Sequence, residues 1–139
     1  MKTIVLISCV SQKLSRPTKA KGLYVSPLFK LSYKFAESLC PDAIYILSAK
    51  YGLVTPKKVI SPYDVTLNNL RSKKIKRWSS KVLSDLAKQT NLQKDRYIFL
   101  AGNKYRKYLL PHIKNFEIPM KGLRLGKQLA WLKQRTQTI

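Results

Sequence analysis

The residues best suited to chemistry in this sequence follow three apolar segments. Cys9 and Lys13 come after the first segment, and Lys50 and Asp64 lie in a long polar loop after the second. A thiolate or a lysine amine can attack an electrophilic carbon, and a carboxylate can act as a base or stabilise developing positive charge. We therefore predict a catalytic role for Asp64, Lys50, Cys9 and Lys13.

Each of these residues also has a structural interpretation, which the sequence leaves open. Asp64 can hold the loop in an Asx-turn or cap a helix. Cys9 can be a small buried apolar side chain. Lys13 and Lys50 can contact a phosphate without acting as nucleophiles.

Hydroxyl, amide and aromatic side chains accompany these groups. The loop after the second segment contains a serine, a Tyr-Gly turn and a Pro-Tyr pair, and a Gly-Asn pair follows the third segment. Tyrosines beside cations can stack on a nucleobase, or they can pack in the core with the hydroxyl at the rim. The candidates for substrate binding are Ser48, Tyr51, Gly52, Tyr63, Asn103 and Tyr105.

The net charge predicts the partner. The chain of 139 residues has 28 lysines and arginines against 6 acidic residues, a formal charge of +22. Such a field attracts polyanions, and release of counterions from a phosphate backbone favours nucleic acid, with DNA expected ahead of RNA. The alternatives are a solvated surface, an acidic protein or a membrane surface. We expect no membrane span, because no segment approaches about 20 apolar residues, and the sequence does not predict the oligomeric state.

One amphipathic helix concentrates the positive charge. Apolar residues recur at helical spacing between Ile75 and Leu86, and cations occupy the opposite face with only Asp85 nearby. Little pairing is available to offset the repulsion, so this face is predicted to contact phosphates, although solvation alone is an alternative. The predicted nucleic-acid-binding residues are Lys73, Lys74, Lys76, Arg77 and Lys81.

Alternating strands and helices must position these loops. Apolar runs predict strands at residues 3–8, 43–47, 96–101 and 116–120. Ser26 and Pro27 begin the first predicted helix. This pattern predicts a single α/β domain over residues 1–139, a three-layer α/β/α sandwich with a mostly parallel four-stranded sheet and a frayed tail at 134–139. Loops after parallel strands meet at one edge of the sheet, where ligands bind.

Several classes of function are disfavoured. The sequence has no phosphate-binding glycine motif, no paired acidic motif and no metal-ligand spacing around its two cysteines. We therefore predict neither a cofactor nor a metal. Without a disulfide framework or a cleavable leader pattern, a cytoplasmic location is expected.

The sequence also resembles known proteins over residues 3–132. The segments ILSAKYGL, PYDVTL, LISCVSQKL and AGNKY are similar to those of small bacterial and phage domains of unknown function related to the peroxide-stress YaaA-type proteins. The spacing of Cys9 and Lys13 also resembles an element of archaeosine synthases. The resemblance implies a core like that of uracil-DNA glycosylases and proteins that bind DNA or process bases.

Three functions remain as expectations. The first is an enzyme that acts on a nucleobase or an N-glycosidic bond in DNA or RNA. The second is a non-catalytic protein that binds or protects DNA, as in the peroxide-stress proteins. The third is a basic, phage-type inhibitor of an acidic host protein.

Overall fold

A computed structural model describes residues 1–8 and 13–137 of the chain. Its helices and strands alternate through most of this length, and single 3₁₀ turns occur at Leu67–Asn69 and Leu110–His112. The elements in chain order are β1 (Thr3–Ser8), β2 (Thr18–Lys19), α1 (Ala20–Leu23), α2 (Pro27–Ser38), β3 (Ala43–Ser48), β4 (Gly52–Val54), β5 (Val59–Ile60), α3 (Ser72–Gln89), β6 (Arg96–Leu100), α4 (Asn103–Arg106), β7 (Asn115–Glu117) and α5 (Leu125–Thr136).

The main sheet is mostly parallel, as predicted, but it has five strands rather than four. Its order is β4-β3-β1-β6-β7, and among the described strands of this sheet only the β3–β4 pair is antiparallel. The missed strand, β4, lies inside the segment predicted as a polar turn. Gly52 adopts φ +76°, which lets the chain reverse and place Leu53 opposite Leu47. A small antiparallel pair, β2–β5, was also not predicted.

Apolar side chains pack on both faces of the sheet. Val5 and Ile7 belong to one buried cluster, and Ile4 and Leu6 belong to another, because successive strand residues point to opposite faces. Helices α2 and α5 contribute to the first cluster, and α3 and α4 to the second. The continuous apolar run of β1 is therefore explained by burial on both sides.

Helix α2 begins at the residues that the sequence predicts, whereas helix α5 extends into the segment that was predicted to be frayed. Ser26 caps α2 by accepting a hydrogen bond from the backbone N–H of Phe29 at 3.2 Å, and Pro27 is the first helical residue, as predicted. Helix α5 continues to Thr136, so residues 134–136 are helical rather than frayed. Thr136 is buried, and its hydroxyl donates to the carbonyl of Leu132 at 2.8 Å.

No helix in the described ranges combines the length and the hydropathy needed to cross a bilayer.

Asp95 joins the start of β1 to the turn before β6. Its carboxylate accepts hydrogen bonds from the backbone N–H groups of Asn91 at 2.8 Å and Lys2 at 2.9 Å, and the residue is only 6% exposed. These hydrogen bonds lower the pKa of Asp95, and the positive charges of the N-terminus and Lys2 lower it further.

We expect Asp95→Asn to lower the free energy of unfolding at pH 7 by about 1–3 kcal/mol, because charge-assisted hydrogen bonds are lost. A depressed pKa stabilises the fold above the usual aspartate pKa near 4, and this contribution disappears as the pH falls through the folded-state value. The difference between variant and wild type should therefore shrink below about pH 4. Urea unfolding at several pH values measures it. Glu37→Gln, at an exposed helix position, is the control and should change little at any pH.

Candidate functional site

A cavity of about 350 Å³ opens at the carboxyl ends of β1 and β6. The chain places β3 on one side of β1 and β6 on the other, so this is the point where the strand order reverses. Open α/β sheets bind ligands in the crevice at such a point. The described lining residues are Ser8, Ser26, Leu28, Ser32, Asn68, Phe99, Leu100, Ala101, Gly102, Asn103, Tyr105, Arg106, Ile118, Met120, Gly122, Leu123 and Gln128.

The strand ends hold the floor of the cavity. Ser8 is the last residue of β1, and its hydroxyl accepts a hydrogen bond from the backbone N–H of Gly102 at 3.1 Å. Ser26, the cap of α2, lines the wall, so the positive end of that helix dipole lies at the cavity. The floor is thus formed by β1 and β6, and one wall is the start of α2.

The loop after β5 reaches the cavity through Tyr105. The tyrosine hydroxyl accepts a hydrogen bond from the backbone N–H of Leu67 at 3.4 Å and lies 3.5 Å from the hydroxyl of Thr66. Lys104 donates to the carbonyl of Asn68, a lining residue, at 3.0 Å. The predicted convergence of loops is therefore present between the segments around residues 66–68 and 102–105.

A second group of predicted residues forms a tyrosine cluster beside this loop. The hydroxyls of Tyr24 and Tyr63 are hydrogen bonded at 2.5 Å, and the ring of Tyr51 meets Tyr63 edge to face at 5.7 Å. The Lys13 ammonium lies 4.5 Å from the ring centre of Tyr63 and 5.8 Å from that of Tyr24. Tyr63 is only 8% exposed, so in this conformation it packs with the cluster and offers little surface to a base.

Ser48 and Tyr51 build the turn between β3 and β4. Ser48 is fully buried, its hydroxyl accepts from the backbone N–H of Tyr51 at 3.0 Å, and its carbonyl accepts from the indole of Trp78 at 2.8 Å. The structure thus gives Ser48 a hydrogen-bonded position in the turn, apart from the described lining of the cavity.

Gly52 completes this turn with its positive φ. A Cβ at this position would lie 3.7 Å from Val82, which is ordinary contact, so any strain from a side chain comes from the backbone. We expect Gly52→Ala to destabilise the protein by about 1–2 kcal/mol. Gly126→Ala is the matched control, because Gly126 lies in α5 with nothing within 4 Å of the added Cβ and should gain up to about 1 kcal/mol. Thermal unfolding of both variants measures these changes in stability. Equal shifts of the melting temperature with the same sign would contradict the prediction.

Asp64 differs from most other acidic residues of the protein. Four of the six carboxylates have structural partners: Asp42 accepts from Thr3, Asp85 pairs with Lys81, Asp95 binds backbone amides and Glu117 pairs with Arg96. Asp64 and Glu37 are exposed, and their carboxylates make no hydrogen bond or ion pair with any described residue.

The structural alternatives for Asp64 are absent from the described part of the chain. The 3₁₀ turn after it is capped by Thr66, which accepts from the backbone N–H of Asn68 at 3.3 Å. Asp64 itself does not line the cavity, but it directly follows Tyr63 and precedes Thr66 in the loop that reaches Tyr105. An exposed carboxylate without a structural partner thus lies in the loop beside the cavity.

The structure says less about the two remaining catalytic candidates, Lys50 and Cys9. Lys50 is exposed, with its ammonium 5.3 Å from the ring centre of Tyr51. Cys9 lies outside the described residues. No group of three potential metal ligands among histidine, cysteine and acidic residues occurs within residues 1–8 and 13–137.

All five predicted nucleic-acid-binding residues are exposed on α3. One of them, Lys81, pairs with Asp85 at 3.3 Å. Lys76 lies 5.5 Å from the ring centre of Tyr108, and Lys107 lies 5.4 Å from the same ring, so the cations of α3 continue onto the segment after α4. We call the exposed cations of α3 together with Lys104 and Lys107 the cationic face.

Sequence reasoning missed several residues of the cavity. The sequence does not single out Arg106, and it identifies Ser26 only as the start of a helix. Ser32 and Gln128 lie on helices far apart in the chain and have no distinctive spacing. Ser8 could have been found, because it ends a buried strand. The other residues become recognisable only when the strand order shows where the crevice lies.

The comparisons with known proteins assign the chain no activity. A family model described as "Family of unknown function (DUF6884)" matches residues 4–134. No curated protein matches the chain. Neither result relates the chain to the peroxide-stress proteins or to uracil-DNA glycosylases, so that relation stays a prediction.

Proposed function

We propose, for a chain that belongs to the family of unknown function DUF6884, that it binds nucleic acid along the cationic face and takes one nucleotide into the cavity. There it acts on the base or on its N-glycosidic bond. The observation that carries this proposal is the cavity at the reversal of strand order, bordered by the loop of Asp64 in a protein of charge +22.

The cavity supports the binding of a base. Its volume of about 350 Å³ falls within the usual range for small-ligand pockets. The amides of Asn103 and Gln128 provide hydrogen-bond donors and acceptors, whereas Phe99 and Tyr105, at 1% and 2% exposed, offer a base almost no aromatic surface. Hydrogen bonds to the edge of the base are one of the means by which enzymes hold a base extruded from a strand.

The cationic face supports the binding of the strand. Helix α3 contacts the region of the cavity directly, because Trp78 meets the ring of Tyr105 edge to face at 5.6 Å. Lys104 donates a hydrogen bond to the carbonyl of Asn68, which lines the cavity. A phosphate backbone that followed the face would pass the cavity mouth, where one nucleotide could enter.

Asp64 supplies the proposed chemistry. In hydrolysis of the N-glycosidic bond, a water adds its hydroxyl to C1′, the bond from C1′ to the base nitrogen breaks, and the departing base takes up the proton. A carboxylate can orient the water and stabilise the positive charge that develops on the sugar. Lys13 and Lys50, the nearby lysines of the tyrosine cluster, would contact neighbouring phosphates.

The proposal includes the relation to the peroxide-stress proteins and a core like that of uracil-DNA glycosylases, with the three-layer α/β/α arrangement. Its support is the resemblance of the strand-end segments together with helices in both apolar clusters of the sheet. A solved structure of an accepted member of either group, superposed on β1, β3 and β6, would test this relation.

A protein that binds nucleic acid without catalysis is the second candidate. One observation favours it, because no acidic residue is among the described residues that line the cavity. In that case the cavity would hold a base or a strand end for recognition alone.

A combined binding and product assay separates the two. Labelled single- and double-stranded DNA and RNA, with and without modified bases, are incubated with the wild-type protein. Abasic sites or altered bases above the no-protein control support the enzyme. Tight, salt-sensitive binding without any product supports the binding protein, and the absence of binding to every substrate would reject both.

A further inference from the structure

The cavity has an uncompensated positive charge. Arg106 is the one lysine, arginine or acidic residue among its described lining residues, and no described carboxylate pairs with it. The start of α2 at Ser26 adds the positive end of a helix dipole, and Lys104 adds a second cation at the rim through Asn68. Arg106, the start of α2 and Lys104 therefore all make the electrostatic potential in the cavity more positive.

Arg106 is held in place rather than free in solvent. The residue is half-buried, and its Nη1 group donates to the carbonyl of Ala101, the residue that follows β6, at 2.6 Å. A guanidinium has five N–H donors, so this one bond leaves others available to a ligand. Burial lowers the pKa of Arg106 by removing water from the charge. The side chain stays protonated, and an anion would restore the lost favourable interactions.

We propose that the cavity is a phosphate-binding subsite in which Arg106 holds the phosphate of the nucleotide that enters it. This inference rests on the proposed function and specifies its ligand as a nucleotide with its phosphate, not a free base or a nucleoside. A planar guanidinium matches phosphate oxygens with two parallel hydrogen bonds, which makes arginine well suited to this task.

The test compares ligands that differ only in the phosphate. Each of the four common nucleoside 5′-monophosphates, the corresponding nucleosides and inorganic phosphate are titrated into the protein by calorimetry at about 0.15 M salt, which screens surface charge. We expect at least one monophosphate to bind about tenfold or more tightly than its nucleoside. Arg106→Gln should remove about tenfold or more of that affinity, because a charge-assisted hydrogen bond is lost.

Arg135→Gln is the matched control. Arg135 also donates to a backbone carbonyl, that of Trp131, but it is exposed on α5 and does not line the cavity. Both variants remove one positive charge, so the non-specific attraction between the protein and the anionic ligands falls equally in each. Arg135→Gln should change the affinity less than about twofold. Thermal unfolding checks that Arg106→Gln is folded. If this variant does not fold, Arg106→Lys, which keeps the positive charge, is used in its place.

The outcomes distinguish this inference from the proposed function. Equal affinity for monophosphate and nucleoside, or equal losses in Arg106→Gln and Arg135→Gln, would overturn the phosphate subsite whatever the assay on nucleic acids shows. Monophosphate binding that depends on Arg106, in a protein that neither binds nor alters DNA or RNA, would support the subsite and reject the proposed function.

Discussion

Asp64→Asn is expected to reduce product formation at least about 100-fold while leaving nucleic-acid binding intact. Removing one group that stabilises developing charge typically costs about 10²–10³-fold in rate, and the neutral amide of asparagine cannot stabilise a cationic sugar as a carboxylate does. Removing a negative charge from a protein of charge +22 should leave binding unchanged or slightly tighter. Single-turnover rates and gel shifts on the same substrate measure the two effects separately.

Glu37→Gln provides the matched control for this prediction. Glu37 is the other exposed carboxylate without a hydrogen bond or ion pair to a described residue, but it belongs to the end of α2 and does not line the cavity. Both substitutions raise the net charge equally. Full activity in Asp64→Asn, or equal losses in the two variants, would exclude Asp64 as the catalytic carboxylate.

Charge reversal on α3 is expected to produce the second large effect. Lys76→Glu combined with Arg77→Glu should weaken binding to DNA by roughly 10–100-fold at low salt, because two phosphate contacts become repulsive. The slope of log affinity against log salt concentration should fall by about two, one for each lost contact. Fluorescence anisotropy with duplex and single-stranded DNA over a range of salt concentrations measures both quantities.

A double variant of the same composition on another helix isolates the role of the cationic face. Lys133→Glu with Arg135→Glu reverses one lysine and one arginine on α5, where both residues are exposed, and changes the net charge equally. We expect a weaker effect of this control on affinity and little change in the salt slope. If both pairs weaken binding alike, the protein attracts nucleic acid through its net charge and not through a defined surface.

These predictions rest on different parts of the molecule, and so they can fail separately. The α3 variant tests where the strand lies, the Asp64 variant tests the chemistry, and the Arg106 variant tests what enters the cavity. If the charge-reversal variant of α3 loses binding while Asp64→Asn keeps its activity, the wild-type protein binds nucleic acid through α3. In that case a group other than Asp64 catalyses the reaction.

Local patterns in the sequence were sufficient for most elements of secondary structure. The β-branched and aliphatic run of β1 can be satisfied only by burial on both faces, which is typical of a central parallel strand. Ser26 followed by Pro27 begins a helix because the serine side chain caps the first turn and the fixed φ of proline is already helical. Strand β4 escaped prediction because its three residues depend on pairing with β3 and on a turn closed by Ser48.

The sequence by itself determined the large positive charge, the alternation of strands and helices, the exposed cations of α3 and the presence of Asp64 in a polar loop. Only the tertiary structure decided the order of the strands, and hence the crevice between the ends of β1 and β6. It buried Ser48 and Tyr63, and it brought Arg106 to the same cavity as Ser26, which lies 80 positions earlier in the numbering. The physical reason is that charge and periodicity are local properties of the chain, whereas a cavity depends on contacts between distant segments, which form only when the sheet is assembled.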